Sequence, residues 1–198
     1  MSQAFAREAD LCAAFVAALP EGWVAYPETG GFDLLLVRAA DGLQIGVEAK
    51  LRLNAKVVRQ ACERSRPDQL TGPCPDCRAV LVPKGAAGAD LAELCRLLGL
   101  TVITMGAEPR QTFTPPLPRP KQDARSLTWF ELAPTERIPL PEYVPDVAAG
   151  APRPVRLTAW KIRAIRIAVT LERRGFVLGD YFKHHQVSMQ RWVTPRLG

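Results

Sequence analysis

The chain has 198 residues and a net charge of +6, from 26 lysines and arginines against 20 aspartates and glutamates. Hydrophobic residues make up 47% of it, as in ordinary globular proteins, and the length suits one domain plus a smaller one, or two small domains. No apolar run reaches the roughly 18 residues of a membrane span and the first residues lack a signal-sequence pattern, so we expect a cytoplasmic protein with no membrane partner.

Helical and strand patterns alternate over the first hundred or so residues. The sequence predicts, in chain order, a helix over 2–19, strands over 23–26, 31–37 and 43–51, a helix over 54–66, a strand over 78–83, a helix over 89–98 and a final strand over 100–105. Asp41-Gly42 is a strong hairpin signal between the second and third strands, and Gly99 is a typical helix stop. This order indicates an α/β domain with a mixed sheet flanked by helices.

The predicted hairpin brings three charged residues to one point. Glu48 and Lys50 are two apart on a strand and share a face, while Val47 and Ala49 pack behind them. Asp33 lies near the start of the antiparallel neighbour, which is beside the end of the strand that carries the other two. Two carboxylates and an ammonium suit a divalent metal and an activated water. The alternative is a solvated sheet edge, but the apolar flanks favour the middle of a sheet.

With this order of elements, residues 1 to about 106 resemble the PD-(D/E)xK, or restriction-endonuclease-like, nuclease superfamily, whose core has the order αβββαβαβ. The motif is Asp33, fourteen intervening residues, then Glu48 and, two further on, Lys50. The resemblance implies that Asp33 and Glu48 bind Mg²⁺ (or Mn²⁺). It also implies that Lys50 orients or activates the attacking water and steadies the developing phosphate charge.

The resemblance further implies outer members of the site. Many members of the superfamily add a glutamate from the first helix as a metal ligand, which here would be Glu8, with Asp10 as a competitor. Some place a glutamine on the helix after the motif, where Gln60 stands. Two positions depart from the pattern, since Phe32 replaces the name-giving proline and no tyrosine follows Gln60 at the spacing of some subfamilies.

The cysteines are consistent with a reducing cytoplasm. Their number, five, is odd and their spacing is irregular, which argues against a disulfide framework. Cys74 and Cys77 form a Cys-x-x-Cys pair, half of a zinc site, but no second half is evident. We therefore expect two thiols in a loop and no structural metal there.

Proline marks the middle of the chain. Eleven of the 18 prolines fall within residues 109–154, so 108–154 is expected to be an extended linker, or a strap over a nuclease-like domain of residues 1–107. Residues 127–132 are the best candidate for a short strand in it. The aromatic pair in that segment is expected to dock on a domain surface.

Residues 155–198 are predicted to form a small, basic, all-α module. The last 48 residues hold ten lysines and arginines against Glu172 and Asp180, a net charge of +8, which suggests a polyanion partner. Three helices are expected: one after the N-cap Thr158, with the apolar face Trp160, Ala164, Ile167, Ala168 and Leu171, and two more after the caps Asp180 and Ser188.

This module resembles a helix-turn-helix domain, in which the last helix enters the DNA major groove. The resemblance implies DNA-binding roles for Lys161, Arg163, Arg166, Lys183, Ser188, Gln190 and Arg191. Pro195 and the absence of a wing depart from that class. The alternative is a helical bundle that only packs or mediates dimers.

Together these patterns predict a Mg²⁺-dependent nuclease that hydrolyses DNA phosphodiester bonds and is targeted by its basic module. No phosphate-binding glycine loop, nucleophile elbow or dinucleotide fingerprint offers a rival chemistry. The alternative is a catalytically inactive nuclease-fold protein that binds DNA or regulates. A homodimer is compatible with either function.

Overall fold

The computed structural model describes residues 5–63, 72–106, 112–119, 128–150 and 159–193. The chain divides into two compact units, Met1–Pro154 and Val155–Gly198. Each unit is built from its own elements and has its own buried cluster.

The first unit is a mixed α/β fold around one six-stranded sheet, so the predicted α/β class is confirmed. Its described elements are α1 (Glu8–Ala17), β1 (Trp23–Pro27), β2 (Leu34–Arg38), β3 (Gln44–Ala49), α2 (Ala55–Glu63), β4 (Cys77–Pro83), α3 (Ala89–Leu97), β5 (Thr101–Met105) and β6 (Phe113–Thr114). The strands lie in the order β1-β2-β3-β4-β5-β6; β4 runs parallel to β3 and β5, and the remaining pairs are antiparallel.

The first eight elements follow the predicted order, but the prediction that β5 is the last strand is wrong. The two residues of β6 pair with the end of β5. Proline at 115 follows β6 directly, and so short a segment has no alternating pattern that the sequence can reveal.

Several predicted boundaries also change, and β3 ends at Ala49, so Lys50 follows that strand instead of lying on it as predicted. Helix α1 begins only at Glu8, because the backbone of Arg7 is extended and makes it the N-cap. Strand β2 begins at Leu34 because the preceding Gly30 and Gly31 have φ of +62° and +86°, which is a turn conformation. The predicted continuation of α2 beyond Glu63 lies outside the described residues.

Alternation along the strands gives the sheet two buried faces. Leu34 and Leu36 of β2 point into a cluster with Leu11 and Phe15 of α1. On the other face, side chains of α2 and α3 pack on Val80 and Val82. The sheet therefore lies between α1 and the other two helices, and β3 is an interior strand of it.

The strap, defined here as residues 128–150, is part of the first unit and is bound to the sheet by buried side chains. Trp129 is 8% exposed and lies in the buried cluster that contains Leu11 and Phe15 of α1, not on a domain surface as expected. The amide of Gln44 donates to the carbonyl of Ile138, and the backbone N–H of Ile138 donates back to Gln44. Asp76 accepts from the backbone N–H of Gln44 and from Arg137.

The short strand predicted over 127–132 is not present in the described part of that segment. Residues 128–132 have no regular secondary structure, and residue 127 lies outside the described residues. Isolated hydrogen bonds hold the segment instead, since the backbone N–H of Leu132 donates to the carbonyl of Asp76 at 2.7 Å. Single hydrogen bonds, and not strand pairing, therefore hold residues 128–132 in place.

The second unit contains α4 (Ala159–Arg174), α5 (Gly179–His184) and α6 (Gln190–Val193). Its small core joins Ile167 of α4 to Phe182 of α5 and to Val187. Of the predicted apolar face of α4 only Ile167 is buried: Trp160, Ala168 and Leu171 are exposed and Ala164 is half-buried, because α5 is too short to cover a longer stripe.

The predicted helix starts in this unit are also changed. Leu178, not Asp180, is the N-cap of α5, so Asp180 lies in its first turn. Helix α6 begins at Gln190, two residues after Ser188, and the predicted cap Thr158 lies outside the described residues. Among the helices that the structure describes, none is both long and apolar enough to cross a membrane.

Candidate active site

The candidate site lies at the end of β3, where two main-chain hydrogen bonds fix the chain. The backbone N–H of Ala49 donates to Oδ2 of Asp33 at 2.8 Å. The backbone N–H of the next residue, Lys50, donates to the carbonyl of Leu81 on β4 at 2.9 Å. The pairing of Leu34 with Val47 places Asp33 beside Glu48, whose side chain is buried. The hairpin therefore holds the three motif residues at one end of the sheet.

Phe32, which replaces the proline of the motif, has a packing role. It is 3% exposed, and its ring lies over Gly46 so closely that a Cβ there would be 2.6 Å from a ring carbon. The aromatic ring thus anchors the residue before Asp33 to β3. Only a glycine at 46 leaves room for this contact.

Lys50 is the centre of the charged cluster. Its Nζ lies 2.8 Å from a carboxylate oxygen of Glu8 at the start of α1 and 3.7 Å from Oδ2 of Asp33. Asp10, the competitor of Glu8, forms a two-pronged ion pair with the exposed Arg7 instead. Of the two acids on the first helix, the structure thus brings Glu8 to the motif.

The electrostatics of the cluster keep Lys50 charged. Burial lowers the pKa of its ammonium, but the hydrogen bond that Lys50 donates to Glu8 and the negative charges of Asp33, Glu8 and Glu48 outweigh burial, so the pKa is raised overall. For the neighbouring thiol of Cys12, burial and then the charges of Asp33 and Glu8 raise the pKa. Cys12 is therefore a neutral thiol at physiological pH and not a nucleophile.

Gln60 is not joined to the centre of the site. It is half-buried on α2, and no hydrogen bond or ion pair within the described ranges connects it to Asp33 or Lys50. Its predicted catalytic role is therefore still a prediction that no contact supports.

The donor chemistry of the site fits a hard divalent cation. Carboxylate oxygens are the ligands that Mg²⁺ prefers, and Mg²⁺ often takes only one or two of them, together with water and substrate phosphate. In the part of the chain that the structure describes, no group of three or more His, Cys, Asp or Glu side chains is arranged as a ligand set. Asp33 and Glu48 are thus two candidate carboxylate ligands and not a complete protein ligand set.

Sequence reasoning missed Glu28, which lies in the turn before Asp33. Its backbone N–H donates to the carbonyl of Asp33 at 2.9 Å, and its carboxylate accepts from the backbone N–H of Gly150 at 3.1 Å. The glycine pair at 30–31 signalled a tight turn here. No local signal pointed to its partner, which is 122 residues away.

The predicted DNA-binding residues lie on the second unit with different surroundings. Lys161 is exposed and Arg166 half-buried on α4, while Arg163 donates to the side chain of Gln186 at 3.1 Å. Lys183 lies 3.4 Å from Asp180. Ser188 and Gln190 are exposed, and the side chain of Arg191 lies outside the described residues.

Comparison of this chain with protein-family models, with curated protein sequences and with solved structures finds no match.

Proposed function

We propose that the first unit is a metal-dependent nuclease of the PD-(D/E)xK type that hydrolyses DNA phosphodiester bonds, and that the second unit binds DNA. The observation that carries the proposal is the convergence on Lys50 of Glu8 at 2.8 Å and Asp33 at 3.7 Å, beside the buried Glu48. These four side chains come from three separate segments of the chain. A carboxylate as buried as that of Glu48 is costly unless a cation compensates it, which supports a cation-binding role for the cluster.

The four residues take distinct roles in this proposal. Asp33 and Glu48 would hold Mg²⁺ or Mn²⁺, and Glu8, whose carboxylate is paired with Lys50, would complete the carboxylate set if it turned to the cation. A bound cation of this kind neutralises charge on the scissile phosphate and lowers the pKa of a coordinated water. The ammonium of Lys50 donates a hydrogen bond to the water or to a phosphate oxygen and offsets the negative charge that develops there.

The backbone contacts of the site support this assignment. Asp33 uses Oδ2 to accept from Ala49, which fixes its rotamer and directs the carboxylate across the hairpin. Lys50 is held at its backbone by Leu81. Such fixed positions are what electrostatic stabilisation of a transition state requires, because the groups then need no reorganisation during the reaction.

The DNA-binding role of the second unit rests on charge. Residues 155–198, which form this unit, carry a net charge of +7, whereas residues 1–154 carry −1. A basic surface that neutralises phosphates gains affinity through counterion release. Because the first unit has no such excess, we assign most of the DNA affinity to the second.

The proposal is tested by incubating the protein with duplex, single-stranded and branched DNA in Mg²⁺ or Mn²⁺. Glu48→Gln and Lys50→Ala are each expected to reduce cleavage by about 100-fold or more, since each removes one charged group from the reacting centre. Glu93→Gln is the matched control, because Glu93 is an exposed acid paired with Arg96 on the same helix.

Three results are possible. Cleavage that needs the metal and is lost in both site variants supports the proposal. Equal cleavage by the wild type and both variants would contradict it. Tight DNA binding without cleavage in any metal would favour the alternative, an inactive nuclease fold that binds DNA or regulates.

A further inference from the structure

The end of the strap packs against the first turn of α1, which carries Glu8. Gly150 has φ of +67°, and a Cβ built on it would lie 3.2 Å from Sγ of Cys12 and 3.3 Å from Cβ of Glu8. Both distances are shorter than ordinary contacts between carbon or sulfur atoms. Only glycine meets the steric and the conformational requirement at this position.

The same glycine is bound to the turn that carries Asp33. Its backbone N–H donates to Oε1 of Glu28 at 3.1 Å, and the backbone N–H of Glu28 donates to the carbonyl of Asp33 at 2.9 Å. Glu28 adopts φ of +50°, a conformation that non-glycine residues rarely take. Strain of this kind persists where surrounding contacts enforce it, and it is concentrated at functional sites.

These contacts form a continuous path from Glu8 through Gly150 and Glu28 to Asp33. We propose that Gly150 and Glu28 are positioning residues that clamp the first turn of α1 to the Asp33 turn and so hold Glu8 at Lys50. The clamp rests on the proposed function for its catalytic meaning, but its geometry can be tested separately. The strap is then a part of the active site and not only a cover of the core.

The first turn of α1 has weak support of its own, because the ion pair of Arg7 with Asp10 that spans it is exposed to solvent. The N-cap Arg7 makes no side-chain hydrogen bond to the first N–H groups of the helix. Uncapped first turns fray unless packing holds them. If this turn frays, Glu8 leaves Lys50 and the cluster loses its shortest ion pair, that of 2.8 Å.

Cysteine labelling tests the clamp without any assumption about catalysis. Cys12 is 1% exposed and lies directly under Gly150, whereas Cys95 is buried in the separate cluster on the other face of the sheet. In Gly150→Ala we expect the alkylation rate of Cys12, followed by peptide mass spectrometry, to rise by about tenfold or more, with Cys95 unchanged.

The matched control is Gly85→Ala. Gly85 has a similar φ of +83°, but a Cβ there meets nothing within 4 Å, so this variant adds the backbone strain without the contact. It should leave the alkylation rate of Cys12 as in the wild type. Equal labelling of Cys12 in Gly150→Ala and wild type would overturn the clamp. An equal rise for Cys12 and Cys95 would also overturn it, because it would show general loosening.

Glu28 distinguishes positioning from a purely structural role. Glu28→Ala removes the acceptor for Gly150 and is expected to lower kcat by about 10- to 100-fold with little change in KM. Glu28→Gln keeps an amide oxygen as acceptor and should restore most of kcat. Equal losses in both variants, or a loss confined to KM, would contradict the positioning role.

The outcomes also separate this inference from the proposed function. If the wild type cleaves no DNA, the nuclease proposal fails, while the alkylation rates of Cys12 in Gly150→Ala and in Glu28→Ala still decide whether the clamp exists. If the wild type cleaves DNA and the alkylation rate of Cys12 in Gly150→Ala and in Glu28→Ala equals that of the wild type, the clamp is contradicted and the nuclease proposal stands.

Discussion

The two units of this chain hold their side chains in opposite ways. In the first, the strand residues Leu34, Leu35 and Leu36 are all fully buried, and side-chain hydrogen bonds fasten the strap to the sheet. In the second, Ile167, Phe182 and Val187 form the buried cluster, and large apolar side chains on its described surface stay exposed. A large buried core can hold charged side chains at fixed distances from one another. A small core leaves most side chains of its unit exposed to solvent and to binding partners. This contrast agrees with our proposal that the first unit carries the chemistry and the second contacts DNA.

The largest expected difference between the units is in core packing. Leu36→Ala leaves a cavity under α1 and should lower the free energy of unfolding by about 3 kcal/mol. Leu171→Ala is the same substitution on α4, where the side chain is 45% exposed, and should change it by less than about 0.5 kcal/mol. Hydrogen exchange resolved by peptide measures both units separately. Similar losses of unfolding free energy in the two variants would contradict the difference in core packing between the units.

A matched pair of arginines, Arg137 on the strap and Arg96 on α3, has a smaller expected effect. Arg137 pairs with the buried Asp76 at 2.8 Å, and Arg96 pairs with the exposed Glu93 at 2.6 Å. Arg137→Met should lower the free energy of unfolding by about 2 kcal/mol, because it leaves a buried carboxylate without its cation. Arg96→Met should lower the free energy of unfolding by less than about 0.5 kcal/mol. Chemical denaturation gives both values, and equal ones would mean that the strap is held by other contacts.

The smallest expected effect concerns the basic surface. Replacing Lys161, Arg163 and Arg166 together by glutamine should weaken duplex DNA binding by about tenfold and reduce the slope of log affinity against log salt by about 2 to 3. Arg96→Gln, in the first unit, should change neither quantity. Fluorescence anisotropy over a range of salt concentrations measures both. An unchanged slope in the triple variant would mean that DNA contacts another surface.

The hairpin and its charged residues were predictable because local signals fix the register. A turn over residues 39–42, which ends in Asp41-Gly42, places Arg38 opposite Leu43, and the observed pairing of Leu34 with Val47 follows the same register. The sequence alone left Glu8 and Asp10 as competitors. Positions 8 and 10 are two residues apart on a helix and therefore point about 200° apart around its axis, so only one of these two side chains can face the hairpin.

Long-range contacts were not predictable. Gln44 and Ile138 are 94 residues apart and Glu28 and Gly150 are 122 apart, and nothing in either segment indicates the other. In α4 the difficulty was different, because apolar residues occur on almost every side of that helix and its buried face cannot be read from periodicity. The buried position of Ile167 depends on the fold of the unit.

The central claim is that the carboxylate of Asp33 takes part in metal-dependent phosphodiester hydrolysis. Its most direct test is single-turnover cleavage of end-labelled DNA in Mg²⁺ by Asp33→Asn, with Asp90→Asn, an exposed acid on α3, as the control. Asparagine can still accept the hydrogen bond from Ala49, so the fold of the hairpin is kept while the charge is removed. The account predicts a rate about 1000-fold lower for Asp33→Asn and an unchanged rate for the control. A rate for Asp33→Asn within twofold of the wild type, roughly 0.4 kcal/mol, would contradict it.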